Sequence, residues 1–274
     1  MELLVFRALI TALLVGTTSV VQARCGPKAT GWLVGLPLTS LPFLLFVGIG
    51  EGAWMARSTA AGIVIGQVTA VACCAVYAYV ARHRGWVAAS CAAGAVAVCA
   101  GGGLVAWHLP WWCAVLLLGA FLAGTLACWP QIRSTSRTGH QRWKRDAFFR
   151  TAVATACVVV ATKASGAFGP EVAGALVAFP TVPLIHAAFT QRATGTAASV
   201  QLIESMLTGM WCGGTFVLLV AAFAGPLDVL PSCAIAIGGA AIVRAVAAPL
   251  TRALTRLRLA ARLRYRWRLL VRVS

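Results

Sequence analysis

The chain has 274 residues, 60% of them hydrophobic and 11% charged, against roughly 25% charged in soluble domains, so a soluble domain is excluded. The net charge of +17 does not point to nucleic acid: the basic residues flank apolar runs, where orientation signals and anionic-lipid contacts belong, and no nucleic-acid motif is present. The ten cysteines form no C-x-x-C pattern, and His83, His108, His140 and His186 show no ligand spacing, so neither a disulfide framework nor a metal or other cofactor is expected.

The first apolar stretch is 3–22. Val21-Gln22-Ala23 resembles a cleavage site, and a signal peptide is one reading of it. Glu2 cancels Arg7 in the n-region, however, and the repeat described below makes this a retained helix. The second span, 31–49, contains Pro37, Thr39, Ser40 and Pro42 within six residues. Proline removes a backbone donor and breaks a helix near itself. In hydrocarbon such a break is tolerated only where it is buried or lines a cavity. Spans at 58–81, 87–107 and 111–129 follow. Between Arg57 and Arg82 lie 24 residues without a charge, and from Gly85 to Ile132 another 48, read as two spans broken at His108-Leu109-Pro110. A hydrocarbon core of about 30 Å takes roughly 20 apolar residues per helix. Residues 1–129 are therefore a first unit of five transmembrane helices.

A basic loop, 130–146, carries Arg133, Arg137, Arg142, Lys144 and Arg145. The second unit, 147–248, has spans at 147–164, 172–190, 198–223 and 230–248. It repeats the first at an offset of 143 residues: Phe6-Arg7 falls on Phe149-Arg150, Gly26-Pro27 on Gly169-Pro170, Gly31 on Gly174, Leu33-Val34 on Leu176-Val177, Pro37 on Pro180, Gly52 on Gly195 and Gly66 on Gly209. Four Gly–Gly coincidences stand where chance gives about 0.6, and two Pro–Pro where it gives about 0.1. These matches carry weight because Gly and Pro mark backbone geometry. Five spans precede the second unit, so it enters the bilayer the other way up. The expected fold is an all-α polytopic membrane protein of about nine transmembrane helices in two inverted-topology repeats, five plus four, a common plan in secondary transporters.

Charge gives the orientation. With the 130–146 loop in the cytoplasm, 18 of the 23 basic residues lie inside, while the outside loops hold only Arg57 and Lys163. The expected location is the inner (cell) membrane, with the N-terminus outside and the C-terminus cytoplasmic. Eight arginines in the tail, 249–274, exclude a tenth span, since each at a helix centre costs roughly 2.5–3.5 kcal/mol. The tail is read as a surface helix on anionic headgroups or as a solvated topology signal.

The broken second helix of each unit is the candidate site. Pro37, Thr39, Ser40, Pro180 and Thr181 are expected to face one midplane cavity, or else to be packed kinks without a ligand. His186, a turn and a half past Pro180, is a substrate-site or proton-coupling candidate, or a packed histidine. Glu204 and Arg244 lie at similar depth in neighbouring spans. They are expected to pair, with Gln201 one turn below, as a coupling or gating element; the other readings are a structural ion pair, or Arg244 snorkelling to the surface. The repeat-matched Arg7 and Arg150 either snorkel or form an anion gate. Enzyme signatures are absent: only six acidic residues are present, with no G-x-S-x-G, H-E-x-x-H or P-loop. The chain is expected not to be an enzyme.

The G-P-x-x-x-G-x-L-x-x-x-P unit at 26–66 and 169–209, with Phe179-Pro180-Thr181 in the second copy, resembles the F-P-T element of GlpM-type bacterial membrane proteins. Leu38 intrudes between Pro37 and Thr39 in the first copy. The resemblance implies a repeated membrane module and says nothing of substrate. The reading that follows is a transporter moving a small solute or amphiphile by alternating access. A flippase for lipids or lipid-linked precursors and a non-transporting scaffold of an envelope biosynthetic complex are its rivals. The expected partners are membrane lipids and a small-molecule or lipid substrate.

Overall fold

The computed structural model describes residues 2–38, 40–107, 110–129, 147–156 and 180–246, without the side chains of 2–8 and 105. Thr39, the 130–146 loop, Lys163, Gly169-Pro170, Gly174 and the Arg-rich tail lie outside the described residues, as does the side chain of Arg7. All regular structure among the described residues is helical. In chain order these helices are α1 (Glu2–Val34), α2 (Ser40–Glu51), α3 (Ala53–Ala81), α4 (Trp86–Ala106), α5 (Trp111–Ala127), α6 (147–156), α7 (Thr181–Thr194), α8 (Thr196–Phe223) and α9 (Val229–Val246).

Five of these hold stretches long and apolar enough to cross a membrane: Leu9–Val34 in α1, α3, Trp86–Leu104 in α4, α8 and α9. The chain is thus built as a membrane-embedded protein. Helices α2 and α5 are apolar but shorter. Burial separates the long helices into two classes. The most apolar stretches of α3 and α8 are 72% and 61% buried within the protein, against 22%, 17% and 28% for α1, α4 and α9. Helices α3 and α8 are therefore the central pair. The peripheral helices turn large apolar side chains outward, among them Leu13, Val98 and Ile242, which suits contact with lipid.

The predicted loops at 23–30 and 50–57 are single glycines instead. Gly26, Gly52 and Gly195 have φ/ψ of 82/179°, 93/166° and 97/171°, a region essentially reserved for glycine. Gly52 N–H closes its preceding helix by donating to the Gly48 carbonyl (3.1 Å), and the Gly52 carbonyl opens the next by accepting from Ala56 (3.2 Å). Gly195 does the same with Gln191 (3.0 Å) and Ser199 (3.3 Å). One residue thus serves both helices as cap.

The chain folds back on itself at these turns. Ser199 Oγ, four residues past Gly195, donates to the carbonyl of Ala187, eight before it (2.8 Å). Thr30 Oγ1 donates to the Thr18 carbonyl (3.5 Å) across Gly26 at the same offsets. The corresponding residues about Gly52, Ala56 and Leu44, are both fully buried. One consequence is that Arg57, expected in a loop, lies on α3.

Candidate functional site

The second span is broken where its prolines predict. The second limb of α1, 27–34, ends at Gly35, and α2 resumes at Ser40. Between them Leu36 N–H donates to the Leu33 carbonyl (3.2 Å) and Leu38 N–H to Leu36 (2.8 Å), while Leu41 N–H donates to Pro37 (2.9 Å) to start the new helix. At about 1.5 Å per residue the two limbs rise about 12 and 18 Å, together about the thickness of a hydrocarbon core, so the break falls well inside it.

The first limb lies against the middle of α8, through glycines whose spacing was not recognised in the sequence. A Cβ on Gly31 would stand 1.9 Å from the Leu202 carbonyl oxygen, and one on Gly35 2.3 Å from that of Met206. From the other side, a Cβ on Gly209 would meet the Trp32 carbonyl oxygen at 2.8 Å, and one on Gly213 the Gly35 carbonyl oxygen at 2.9 Å. Gly31-x-x-x-Gly35 on Gly209-x-x-x-Gly213 is the small-residue contact by which membrane helices approach closely.

The central residue of α3, Gln67, completes this cluster. It is fourteen residues from either end of its helix. Its Nε2 lies 3.6 Å, and Pro37 N 3.8 Å, from the point a Gly213 Cβ would occupy; its Oε1 is 3.4 Å from the same point on Gly214, beside Leu118. Gln67 is 9% exposed, and its Oε1 is buried without a hydrogen-bond partner. A lone amide in an apolar run offers no pattern, which is why sequence reasoning passed over it.

The remaining candidates are distributed as follows. Ser40 is buried and Pro37 half-buried at the first break. Pro180 is buried, and its carbonyl accepts from Leu184 N–H (3.0 Å) as Pro37 does from Leu41; Thr181 beside it is half-buried. Gln201 and Glu204 are half-buried on α8. Arg244 stands over the Trp32 ring, 3.9 Å from its centroid. A contact between Arg244 and Glu204 is not among those of the described residues.

His186 belongs to a second polar cluster, near the turns at Gly26 and Gly195. It is fully buried. Its Nδ1 is 3.2 Å from Arg150 Nη1 and its Nε2 is 2.9 Å from Thr18 Oγ1. A guanidinium only donates, so Nδ1 accepts and the ring carries its hydrogen on Nε2. Thr18 then passes its own hydrogen to the Leu14 carbonyl (2.7 Å). Arg150 also donates to Gln22 Oε1, Gln22 Nε2 donates to Thr190 Oγ1 (2.6 Å), and the guanidinium lies 5.4 Å from the centroid of Phe189. Arg150 is 6% exposed, so the snorkelling expected of it is overturned: it turns inward and ties α1, α6 and α7 together. Alongside, Tyr77 O–H donates to Gln191 Oε1 (2.7 Å), fastening α3 to α7.

Compared with known proteins, the chain matches no family model, no curated protein and no solved structure.

Proposed function

We propose that the chain is a membrane transporter that moves a small solute or amphiphile by alternating access. In this reading two inverted halves, 1–129 and 147–248, meet at a midplane site. The observation that carries it is the break at Gly35–Thr39, held inside the protein against the centre of α8, at the depth where discontinuous helices of transporters bind their ligands. Pro37, Thr39, Ser40, Pro180 and Thr181 supply the two breaks. Gln201, Glu204 and Arg244 are the coupling or gating group, and His186 borders the site.

Backbone geometry supports the two-halves reading. Gly52 and Gly195 are 143 residues apart and share one rare conformation. Helices α3 and α8 begin 143 residues apart, at Ala53 and Thr196, as do α4 and α9 at Trp86 and Val229. The four capping bonds Leu41–Pro37, Gly52–Gly48, Ala56–Gly52 and Ala89–Gly85 recur as Leu184–Pro180, Gly195–Gln191, Ser199–Gly195 and Ser232–Asp228. The central pair α3 and α8 is itself a matched pair. Contacts between halves agree with nine alternating spans. Gly48 meets Val229 and Arg57 meets Gly225 at one end, while Tyr77 meets Gln191 and Thr18 meets His186 at the other. The N-terminus is then outside an inner membrane and the C-terminus cytoplasmic.

The test is thermal stability of the purified protein against a panel of polar solutes, with lipid extracts in parallel, because a ligand of the native state raises the midpoint with concentration. A rise with a polar solute that is lost in Pro37→Ala and Ser40→Ala supports the carrier. A rise with lipid alone transfers the reading to a flippase. A flat response throughout leaves the scaffold.

A further inference from the structure

We propose that the amide of Gln67 is the ligand-recognising group of the midplane site, and that it takes an uncharged solute bearing a primary amide or a hydroxyl. The inference rests on the reading of the Gly35–Thr39 break as a central site, and names the chemistry of what binds there.

Position comes first. Gln67 is the midpoint of α3, and the glycines it lies against sit thirteen residues or more from either end of the apposed part of α8, Gly209 being thirteen from Thr196 and fourteen from Phe223. Its amide, the Gly35 carbonyl and Pro37 converge on Gly213. A helix break and an amide are thus brought to one point at the depth farthest from water.

Second, the acceptor is left open. Gln67 Oε1 is buried without a partner, a condition that is costly in an apolar surround and rare in native proteins. A ligand donor would relieve it. Third, the fold does not need an amide here. The residue 143 positions on is Met210, of similar length, and it is buried in the matching helix. A hydrophobic side chain therefore fills this position in one half, and the other half keeps a polar one at a cost in stability.

The neighbours set the ligand class. The Gly35 carbonyl, Pro37, Gly213, Gly214 and Leu118 carry no formal charge, so nothing in this group compensates an ion. What is offered is two acceptors, Gln67 Oε1 and the Gly35 carbonyl, and one donor, Gln67 Nε2. A primary amide or hydroxyl, which both donates and accepts, complements that set.

The experiment uses the full-length protein with malonamide and its N,N,N′,N′-tetramethyl derivative, which keeps both carbonyls and lacks every N–H. The thermal midpoint of the wild type is expected to rise with malonamide and not with the methylated probe. Gln67→Met is expected to have a higher midpoint than wild type without any probe, and no response to malonamide. A lower midpoint for Gln67→Met overturns the proposal, since the amide is then satisfied in the resting protein by water or by the fold. Equal response to the two probes, a response that survives in Gln67→Met, or no wild-type response to malonamide also overturns it. Uptake of labelled malonamide into proteoliposomes separates this proposal from the carrier reading. Binding that depends on Gln67 without uptake keeps the site and removes the carrier; uptake unchanged in Gln67→Met keeps the carrier and removes the site.

Discussion

At the scale of single residues, the glycines fall into two kinds that a sequence writes identically. Gly31 has ordinary helical backbone, and its need for a hydrogen in place of a side chain comes from outside: the Leu202 carbonyl stands where a Cβ would be. Gly52 and Gly195 have nothing within 4 Å of that point, and their need comes from φ alone. Gly31→Ala should cost about 1–3 kcal/mol or more, by forcing α1 off α8. Gly52→Ala and Gly195→Ala should each cost on the order of 1–3 kcal/mol through backbone strain. Gly94→Ala, with open space and helical φ, is the control expected to be neutral or slightly stabilising. Thermal or denaturant unfolding in detergent orders the four; a Gly31 variant as stable as the Gly94 one would refute the close approach. Arg150 gives a second residue-scale expectation. Arg150→Met strands Gln22 Oε1 and the Nδ1 of His186, each a buried acceptor worth about 1–3 kcal/mol when left unpartnered. The same unfolding measurement should show a loss at least as large as one such group.

At the scale of elements, the broken helix is where sequence and structure meet most closely. Pro37, with no N–H, cannot continue a helix from Val34, and the chain uses its carbonyl to start α2. Proline and glycine were legible because each restricts or frees the backbone whatever its surroundings. Helix ends were less so. In an apolar chain, polarity shifts only gradually toward the interface, so the predicted loops at 23–30 and 50–57 were drawn around Arg24, Lys28 and Arg57, when the turns are one residue long. The polar clusters were less legible still. Gln22 and Thr190 are 168 residues apart, as are Thr18 and His186, and no local pattern brings them together. Pro37→Ala restores the missing donor and should let helix run from 27 to 51. The expected outcome is a protein of near-normal thermal stability with uptake reduced at least tenfold, read in proteoliposomes. Full activity in this variant would mean that the break is only a kink.

Taken as a whole, the molecule is two long, buried helices, α3 and α8, surrounded by thinner-walled partners. Its sequence symmetry is visible in the Gly and Pro matches because those residues hold matching corners of the backbone. The apolar remainder has drifted, since many side chains suit lipid equally well. The nine-span arrangement makes a prediction at this scale. Reporter fusions ending after Arg84 and after Arg192 should both report cytoplasm, and fusions ending after Glu51 and after Asp228 the outside. A shared location for the Glu51 and Arg84 fusions would exclude α3 as a single crossing.

The one-residue turns also bear on how such a protein enters its membrane. A conventional pair of spanning helices drags a hydrated loop through the hydrocarbon when the far end crosses. Here the pair α2–α3 is joined by Gly52 alone, with Glu51 beside it and Arg57 a turn and a half further on. Little polar cargo has to be desolvated, and both arms can sink as one wedge whose backbone bonds are already closed by its own cap. Insertion in hairpins, and not helix by helix, is what this geometry favours. It would let the second half find its upside-down seating before the arginines of the tail are ever synthesised.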